Sequence, residues 1–137
     1  MSSDEGRRHV LIIEDEPFFL QLVSESLTSV GYPVEAAPDA REGLRRFERS
    51  RYDAVIVDLL LGETTGWEVI EAIRSRDPAV GTILLSALSE DLDEELARAR
   101  GFDVVLGKPI EADKLREAVA EVSALKLARL AAMAGEG

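Results

Sequence analysis

The sequence of 137 residues has no cysteine and a single histidine. Without thiols the chain can form neither disulfides nor Cys-based zinc sites, and one histidine cannot build a multi-histidine metal cage. No apolar run approaches the roughly 20 residues needed to cross a bilayer, and residues 1–8 lack the hydrophobic segment of a signal peptide. These absences predict a cytoplasmic protein without thiol or zinc-thiolate chemistry.

Basic residues are scarce relative to acidic ones. The chain has 16 Lys and Arg against 27 Asp and Glu, which gives a formal net charge of −11. Such a charge opposes binding to DNA, to RNA or to an anionic membrane surface. The hydrophobic fraction of 46% is ordinary for a folded protein, and the length suits one domain. We therefore expect one globular domain that binds neither nucleic acid nor membrane.

Short apolar runs alternate with segments of helical periodicity along the whole chain. Five of these runs predict buried strands, at residues 10–13, 34–36, 54–57, 82–85 and 104–106. Because the runs are largely uninterrupted rather than alternating, they predict strands covered on both faces, as in a parallel sheet. Five βα repeats with short connections predict an α/β fold with a five-stranded, parallel, doubly wound (flavodoxin-like) sheet.

Polar residues stand where four of these strands end. Glu14 and Asp15 follow the first strand, Asp58 the third, Ser86 the fourth and Lys108 the fifth. Ligands of doubly wound sheets bind beyond the carboxyl ends of the strands, so these side chains are expected on one rim. Three clustered carboxylates repel one another unless a hard cation binds, and oxygen ligands suit Mg²⁺. One carboxylate could then attack a phosphoryl group whose oxygens the metal and Lys108 neutralise.

Each of these residues also has a simpler interpretation. The acidic run before Pro17 could merely complement a helix N-terminus. Asp58 could be an ordinary loop aspartate, Ser86 a local hydrogen-bonding residue and Lys108 a surface lysine. We interpret His9, which precedes the first strand, as a surface residue rather than a phosphocarrier. The functional interpretation rests on the coincidence of so many polar residues at strand ends.

The motifs resemble those of two-component receiver domains over roughly residues 9–125. Residues 10–16 resemble the opening strand and acidic cluster of that family, and residues 58–61 with Gly66 resemble its phosphoacceptor strand and loop. Ser86 matches the family's hydroxyl position, and Lys108-Pro109 matches its lysine followed by a cis-proline. The resemblance implies the (βα)5 receiver fold of a response regulator of the chemotaxis-regulator type.

The resemblance also implies roles for the residues at the rim. Asp58 is expected to be the phosphoacceptor, with Ser86 and Lys108 engaging the phosphoryl oxygens. A Mg²⁺ site is implied, and its ligands are Glu14 (directly or through water), Asp15, Asp58 and the main-chain carbonyl of Leu60. The phosphoryl group would come from a sensor histidine kinase or a histidine phosphotransfer protein. A downstream protein partner would then sense the change in conformation. The resemblance implies a signalling receiver rather than an enzyme, one that catalyses only its own aspartyl phosphorylation and slow dephosphorylation.

Several positions depart from the family pattern. Gly62 replaces a frequent proline four residues after the phosphoacceptor, which predicts a more flexible loop. Val105 replaces the usual switching aromatic residue three positions before the lysine, so the side chain on which a rotating-aromatic mechanism depends is missing. By the same resemblance, the side chains that flank the approach of a hydrolytic water come from two residues after Asp58 and two after Ser86, which are Leu60 and Leu88 here. Because both are apolar, they predict slow loss of the phosphoryl group.

Three alternative functions fit the sequence less well. A phosphatase of the haloacid dehalogenase type needs a second carboxylate two residues after the nucleophile, where this chain has Leu60. A flavodoxin-like nucleotide binder needs a Ser/Thr-rich or Gly-rich loop after the first strand, where this chain has acidic residues. A pseudo-receiver typically loses the acidic pair or the lysine, and both are retained here.

The last helix is longer than the receiver fold requires. It is predicted from about Glu111 to about Met133, so the chain divides into an N-terminal tail (1–8), the receiver domain (9–125) and a helical extension (126–137). An apolar pattern continues from Leu125 into that extension, at Leu127, Leu130 and Met133. One hypothesis is that the extension forms a homodimer or docks on a partner, because it has no evident core to join within the chain. The alternative is a frayed tail or a truncated linker.

Overall fold

A computed structural model describes residues 9–87 and 92–135. The strands in chain order are β1 (Val10–Ile13), β2 (Val34–Ala37), β3 (Ala54–Asp58), β4 (Leu60–Leu61), β5 (Thr64–Thr65), β6 (Gly81–Ala87) and β7 (Val104–Lys108). Five of them form one parallel sheet in the order β2-β1-β3-β6-β7. The predicted parallel, doubly wound sheet is confirmed.

Within the described residues, five helices connect and flank these strands. They are α1 (Pro17–Thr28), α2 (Ala40–Arg49), α3 (Gly66–Arg76), α4 (Glu94–Arg100) and α5 (Ala112–Gly135). One core lies between the sheet and the α1 and α5 side, and a second core lies on the α2, α3 and α4 side. No helix in the described ranges is long and apolar enough to span a membrane.

The continuous apolar runs follow from this two-sided packing. Successive side chains of a strand point to opposite faces of the sheet. In β1, Val10 and Ile12 belong to the α1/α5 core, whereas Leu11 and Ile13 belong to the core on the other face. All four side chains are completely buried. A strand with water on either face would have alternated apolar and polar residues instead.

Capping residues fix two of the helix boundaries. Asp39 caps α2, since its carboxylate accepts a hydrogen bond of 2.8 Å from the amide of Glu42. Gly101 ends α4 with φ at +125°. A side chain at that position would be strained, and its Cβ would come within 2.9 Å of Arg74 Cγ.

A small hairpin after β3 is absent from the predicted elements. Strands β4 and β5 pair in antiparallel register, with Leu60 opposite Thr65 and Leu61 opposite Thr64. Gly62 lies in the turn between them at φ +70°, a backbone conformation that the ring of proline cannot adopt. The residue that departs from the family pattern is therefore the one that allows this turn.

Helix α5 continues without a break into the extension, as predicted, but the extension is not isolated. Lys126 is buried and donates a hydrogen bond to the carbonyl oxygen of Tyr52. Arg129 donates to the carboxylate of Asp103. The expectation that the extension has nothing to join within the chain is therefore wrong, since it docks through two cations rather than through its leucines. The predicted tail at residues 1–8 and the end of the chain at 136–137 lie outside the described residues.

Candidate functional site

Two buried carboxylates stand side by side at the carboxyl ends of β1 and β3. Glu14 follows β1 and is completely buried, and Asp58 is the last residue of β3 and is 5% exposed. The strands pair in register, with Ile13 opposite Val57, so the next residue on each strand reaches the same point of the rim. The sequence thus places two acidic groups in a setting that is costly for charges without a partner.

Lys108 supplies that partner from the last strand of the sheet. Its ammonium donates to Glu14 Oε1 at 2.8 Å and to Asp58 Oδ2 at 3.3 Å. It also lies 4.3 Å from the centre of the Phe19 ring at the start of α1. The peptide bond from Lys108 to Pro109 is cis, as the sequence resemblance implied. One ammonium therefore bridges the two buried carboxylates.

The site holds more negative charge than Lys108 neutralises. Burial raises the pKa of the Glu14 carboxyl, the hydrogen bond from Lys108 opposes that rise, and the neighbouring Asp58 adds to it. Burial would lower the pKa of the Lys108 ammonium, but its bond to Glu14 and the charges of Asp58 and Glu14 outweigh burial and raise that pKa. Both shifts indicate a site that would gain from a further positive charge.

Asp15 completes an oxygen-rich cluster with these two residues. It is exposed, and one carboxylate oxygen from each of Glu14, Asp15 and Asp58 lies within 4.8 Å of the others. Hard, anionic oxygen ligands at a partly open rim are the donor set that Mg²⁺ prefers, because it keeps several of its waters. The residues present therefore fit a Mg²⁺ ion.

The remaining predicted residues lie at the same rim but are not in this hydrogen-bonded group. Ser86 follows Leu85, the residue opposite Asp58 in β6, and its hydroxyl donates to the carbonyl oxygen of Ala87 at 3.1 Å. Leu60 lies two residues after Asp58, and 65% of it is exposed. Leu88, the second predicted flanking residue, lies outside the described residues.

Of the three acidic residues before Pro17, one caps a helix and two belong to the site. Glu16 caps α1, since its carboxylate accepts hydrogen bonds from the amides of Phe18 and Phe19 at 3.2 and 2.6 Å. Glu14 and Asp15 belong to the rim cluster instead. The sequence does not predict the contact of Phe19 with Lys108, because Phe19 is one of the apolar residues of α1 that pack on the core.

Comparison with known proteins identifies the family. The model of the response regulator receiver domain matches residues 10–120. The chain belongs to the response regulator receiver family. Among its relatives, the transcriptional regulatory protein GlrR of Escherichia coli K12 is 35% identical over 111 residues, which are 81% of this chain and 25% of GlrR. This receiver thus spans about a quarter of that relative.

Solved receiver structures agree with the fold. A response regulator receiver domain protein from Clostridium thermocellum is 30% identical and superposes with a TM-score of 0.81, covering 87% of this chain and 96% of that one. The receiver domain of the sensor histidine kinase PA1611 from Pseudomonas aeruginosa is 28% identical, with a TM-score of 0.78 over 86% and 98% of the two chains. That second structure has a magnesium ion coordinated in its active site cleft. The chain is therefore a receiver domain of two-component signalling.

Proposed function

We propose that this receiver accepts a phosphoryl group on Asp58 from a histidine kinase or a histidine phosphotransfer protein. The observation that carries the proposal is the ammonium of Lys108 held between Glu14 and Asp58, at 2.8 and 3.3 Å. A structural ion pair needs one carboxylate for one ammonium, whereas this ammonium bridges two carboxylates and a third, that of Asp15, lies beside them. Such an excess of charge suits a site for a metal ion and a phosphoryl group.

The proposed transfer is an in-line displacement at phosphorus. A carboxylate oxygen of Asp58 forms the new O–P bond while the P–N bond of phosphohistidine breaks, and the imidazole keeps the electron pair. Lys108, already hydrogen-bonded to Asp58, neutralises a non-bridging phosphoryl oxygen. Ser86 contributes its hydroxyl to another of those oxygens. Because the side chains are fixed at the ends of rigid strands, little reorganisation is required.

Glu14, Asp15, Asp58 and the carbonyl oxygen of Leu60 are the proposed Mg²⁺ ligands. When bound there, Mg²⁺ supplies positive charge that offsets the repulsion between the carboxylates and the incoming phosphoryl oxygens. The PA1611 receiver, whose site holds magnesium, supports this assignment. Asp15 is exposed at the rim, so it can meet a hydrated ion without a rearrangement of the core.

The output is proposed to be a change in the binding of a protein partner. Phosphorylation adds negative charge beside Lys108 and Ser86, at the ends of β6 and β7, and it would bias an equilibrium between two arrangements of the neighbouring helices. The net charge of −11 favours a protein partner over nucleic acid or an anionic membrane surface. Relatives such as GlrR are transcriptional regulators, but this chain matches only part of their length.

Phosphorylation by a small donor tests the proposal directly. The protein is incubated with Mg²⁺ and acetyl phosphate, and intact mass is measured before and after treatment with hydroxylamine. We expect one phosphoryl group, removed by hydroxylamine as an acyl phosphate is, and none on Asp58→Asn. The matched control is Asp93→Asn, which removes the capping carboxylate of α4 and none of the proposed site residues, so it should be labelled like the native protein. Equal labelling of Asp58→Asn would overturn the assignment.

A homodimer through the extension at residues 126–137 is the second part of the partner proposal. The side chains of Leu127, Leu130 and Met133 are exposed on α5, by 55%, 44% and 46%. Between Ser123 and Gly135 the charged residues are Lys126 and Arg129, and both bind their own domain. A second copy of the helix could therefore pack there without charge repulsion. Light scattering of the full chain and of a chain ending at Ser123 tests this, and equal monomeric masses with and without phosphorylation would refute it.

A further inference from the structure

We infer that Phe19 is a positioning residue for the phosphoryl transfer, because its ring holds the ammonium of Lys108 over the carboxylates. The inference rests on the proposed function and extends it to a residue outside the polar cluster. The ammonium lies 4.3 Å from the ring centre, within the distance at which a cation and an aromatic face attract each other. Only 23% of the Lys108 side chain is exposed, so water screens this attraction weakly.

The position of the ring is itself fixed by packing. Phe19 is half-buried and packs against the core between the sheet and the α1/α5 side. Its backbone amide is held by the capping carboxylate of Glu16 at 2.6 Å. The neighbouring Phe18, in contrast, is 74% exposed. Two adjacent phenylalanines therefore have different environments, and only Phe19 contacts the site.

The ring offers Lys108 a partner that does not compete for metal. The two carboxylates that accept from Lys108, those of Glu14 and Asp58, are also proposed Mg²⁺ ligands. A carboxylate shared with a divalent cation attracts an ammonium less strongly, and Lys108 would then be freer to swing toward solvent. The face of Phe19 keeps its attraction in either case. The ammonium is thereby kept where the phosphoryl oxygens arrive.

Three variants separate this role from simple packing. Phe19→Leu keeps an apolar side chain but removes the aromatic face, Phe19→Tyr keeps the face, and Phe18→Leu is the matched control on the exposed neighbour. The initial rate of phosphorylation by acetyl phosphate is measured at saturating Mg²⁺. We expect Phe19→Leu to lose about two- to fivefold in rate, the size of one partly screened cation–π contact. Phe19→Tyr and Phe18→Leu should match the native rate.

A spectroscopic measurement needs neither metal nor donor. The chain has three lysines, Lys108, Lys114 and Lys126, so lysine-selective labelling gives a spectrum with few signals. Protons over an aromatic face are shifted upfield, so the terminal methylene of Lys108 should be displaced from that of the exposed Lys114. Phe19→Leu should abolish the displacement and Phe19→Tyr should retain it.

The outcomes are distinct for the inference and for the proposed function. A native rate in Phe19→Leu, an equal loss in Phe19→Tyr, or an unshifted Lys108 signal in the native protein would overturn the role of Phe19. Failure of the native protein to be phosphorylated would overturn the proposed function instead, while the Lys108 signal would still test the ring contact. Thermal melts of each variant exclude a change in rate that arises from unfolding.

Discussion

Asp103 joins the extension of α5 to the body of the receiver, and its removal should be costly. The carboxylate is 11% exposed and accepts hydrogen bonds from Arg129, from Arg74 at 3.2 Å and from the amide of Thr82 at 3.0 Å. In Asp103→Ala, two guanidinium groups lose their shared counter-ion in a largely buried setting. Breaking a buried ion pair from one side costs about 3–5 kcal/mol.

The expected loss is somewhat smaller here because water can reach one of the two cations. The Arg129 side chain is 31% exposed and that of Arg74 is 19% exposed. We therefore expect a loss of about 2–4 kcal/mol in the free energy of unfolding. For a domain of this size each kcal/mol lowers Tm by roughly 4 °C, so Tm should fall by about 8–16 °C.

Urea unfolding and thermal melts measure this loss, with Asp113→Ala as the matched control. Asp113 also pairs with an arginine, Arg116, but its side chain is 89% exposed, so its removal should cost about 1 kcal/mol or less. A double-mutant cycle of Asp103→Ala with Arg129→Ala should give a coupling of about 1–3 kcal/mol. The same variants should accelerate amide exchange in the last two turns of α5.

The pH dependence has a definite sign. Burial works against ionisation of Asp103, but the bonds from Arg129 and Thr82 and the nearby arginine charges prevail, so its pKa lies below the ordinary value. The ionised carboxylate therefore stabilises the fold above the pKa of an unfolded aspartate, about 4, and this stability is lost as pH falls through the folded pKa. Asp103→Ala should remove that acid sensitivity. An unfolding free energy equal to that of Asp113→Ala, or a coupling near zero, would refute the reasoning.

Three further predictions concern the rim and the packing of α5. Asp58→Asn should stabilise the metal-free protein by about 1 kcal/mol because it removes one of the clustered charges, and Mg²⁺ should no longer raise its Tm; an unchanged response to Mg²⁺ would contradict this. Gly81→Ala should lower the free energy of unfolding by about 2–3 kcal/mol, because its Cβ would overlap the Val122 carbonyl oxygen. The control Gly135→Ala has open space around its Cβ and should leave the thermal melt unchanged. Leu60→Asn should speed the decay of phospho-Asp58 about threefold or more, because an amide can orient the attacking water, and identical decay curves would show that this position does not set the lifetime.

The sheet and its rim could be predicted because they depend on local signals. A parallel strand that is buried on both faces, such as β1 or β3, requires an unbroken apolar run, and the run is visible in the sequence. The polar residue that ends the run is then placed at the rim by the geometry of the sheet. Glu14, Asp58 and Lys108 all follow this pattern, and the structure brings them into direct contact.

Contacts between distant residues left no such signal. In the last helix, Lys126 and Arg129 lie among leucines, and no pattern shows that these two cations bind the body of the receiver. The sequence therefore predicts an extension without a partner in the chain. Their acceptors are a backbone carbonyl at Tyr52 and the carboxylate of Asp103, which no periodicity marks. The contact of the Phe19 ring with Lys108 also joins residues that are distant in the sequence, so no local pattern indicates it. The hairpin of β4 and β5 is too short, at two residues a strand, to produce a pattern.

Helix α5 runs from the rim of the receiver to the opposite edge of the sheet. The helix begins just after the rim residue Lys108, and its 24 residues make it about 36 Å long. Its last turns are anchored at Tyr52 and Asp103, which precede β3 and β7 and so lie at the edge opposite the rim. A protein that binds those last turns would leave the face around Asp58 uncovered. Two molecules, one at the rim and one at the last turns of α5, could therefore bind this receiver at the same time.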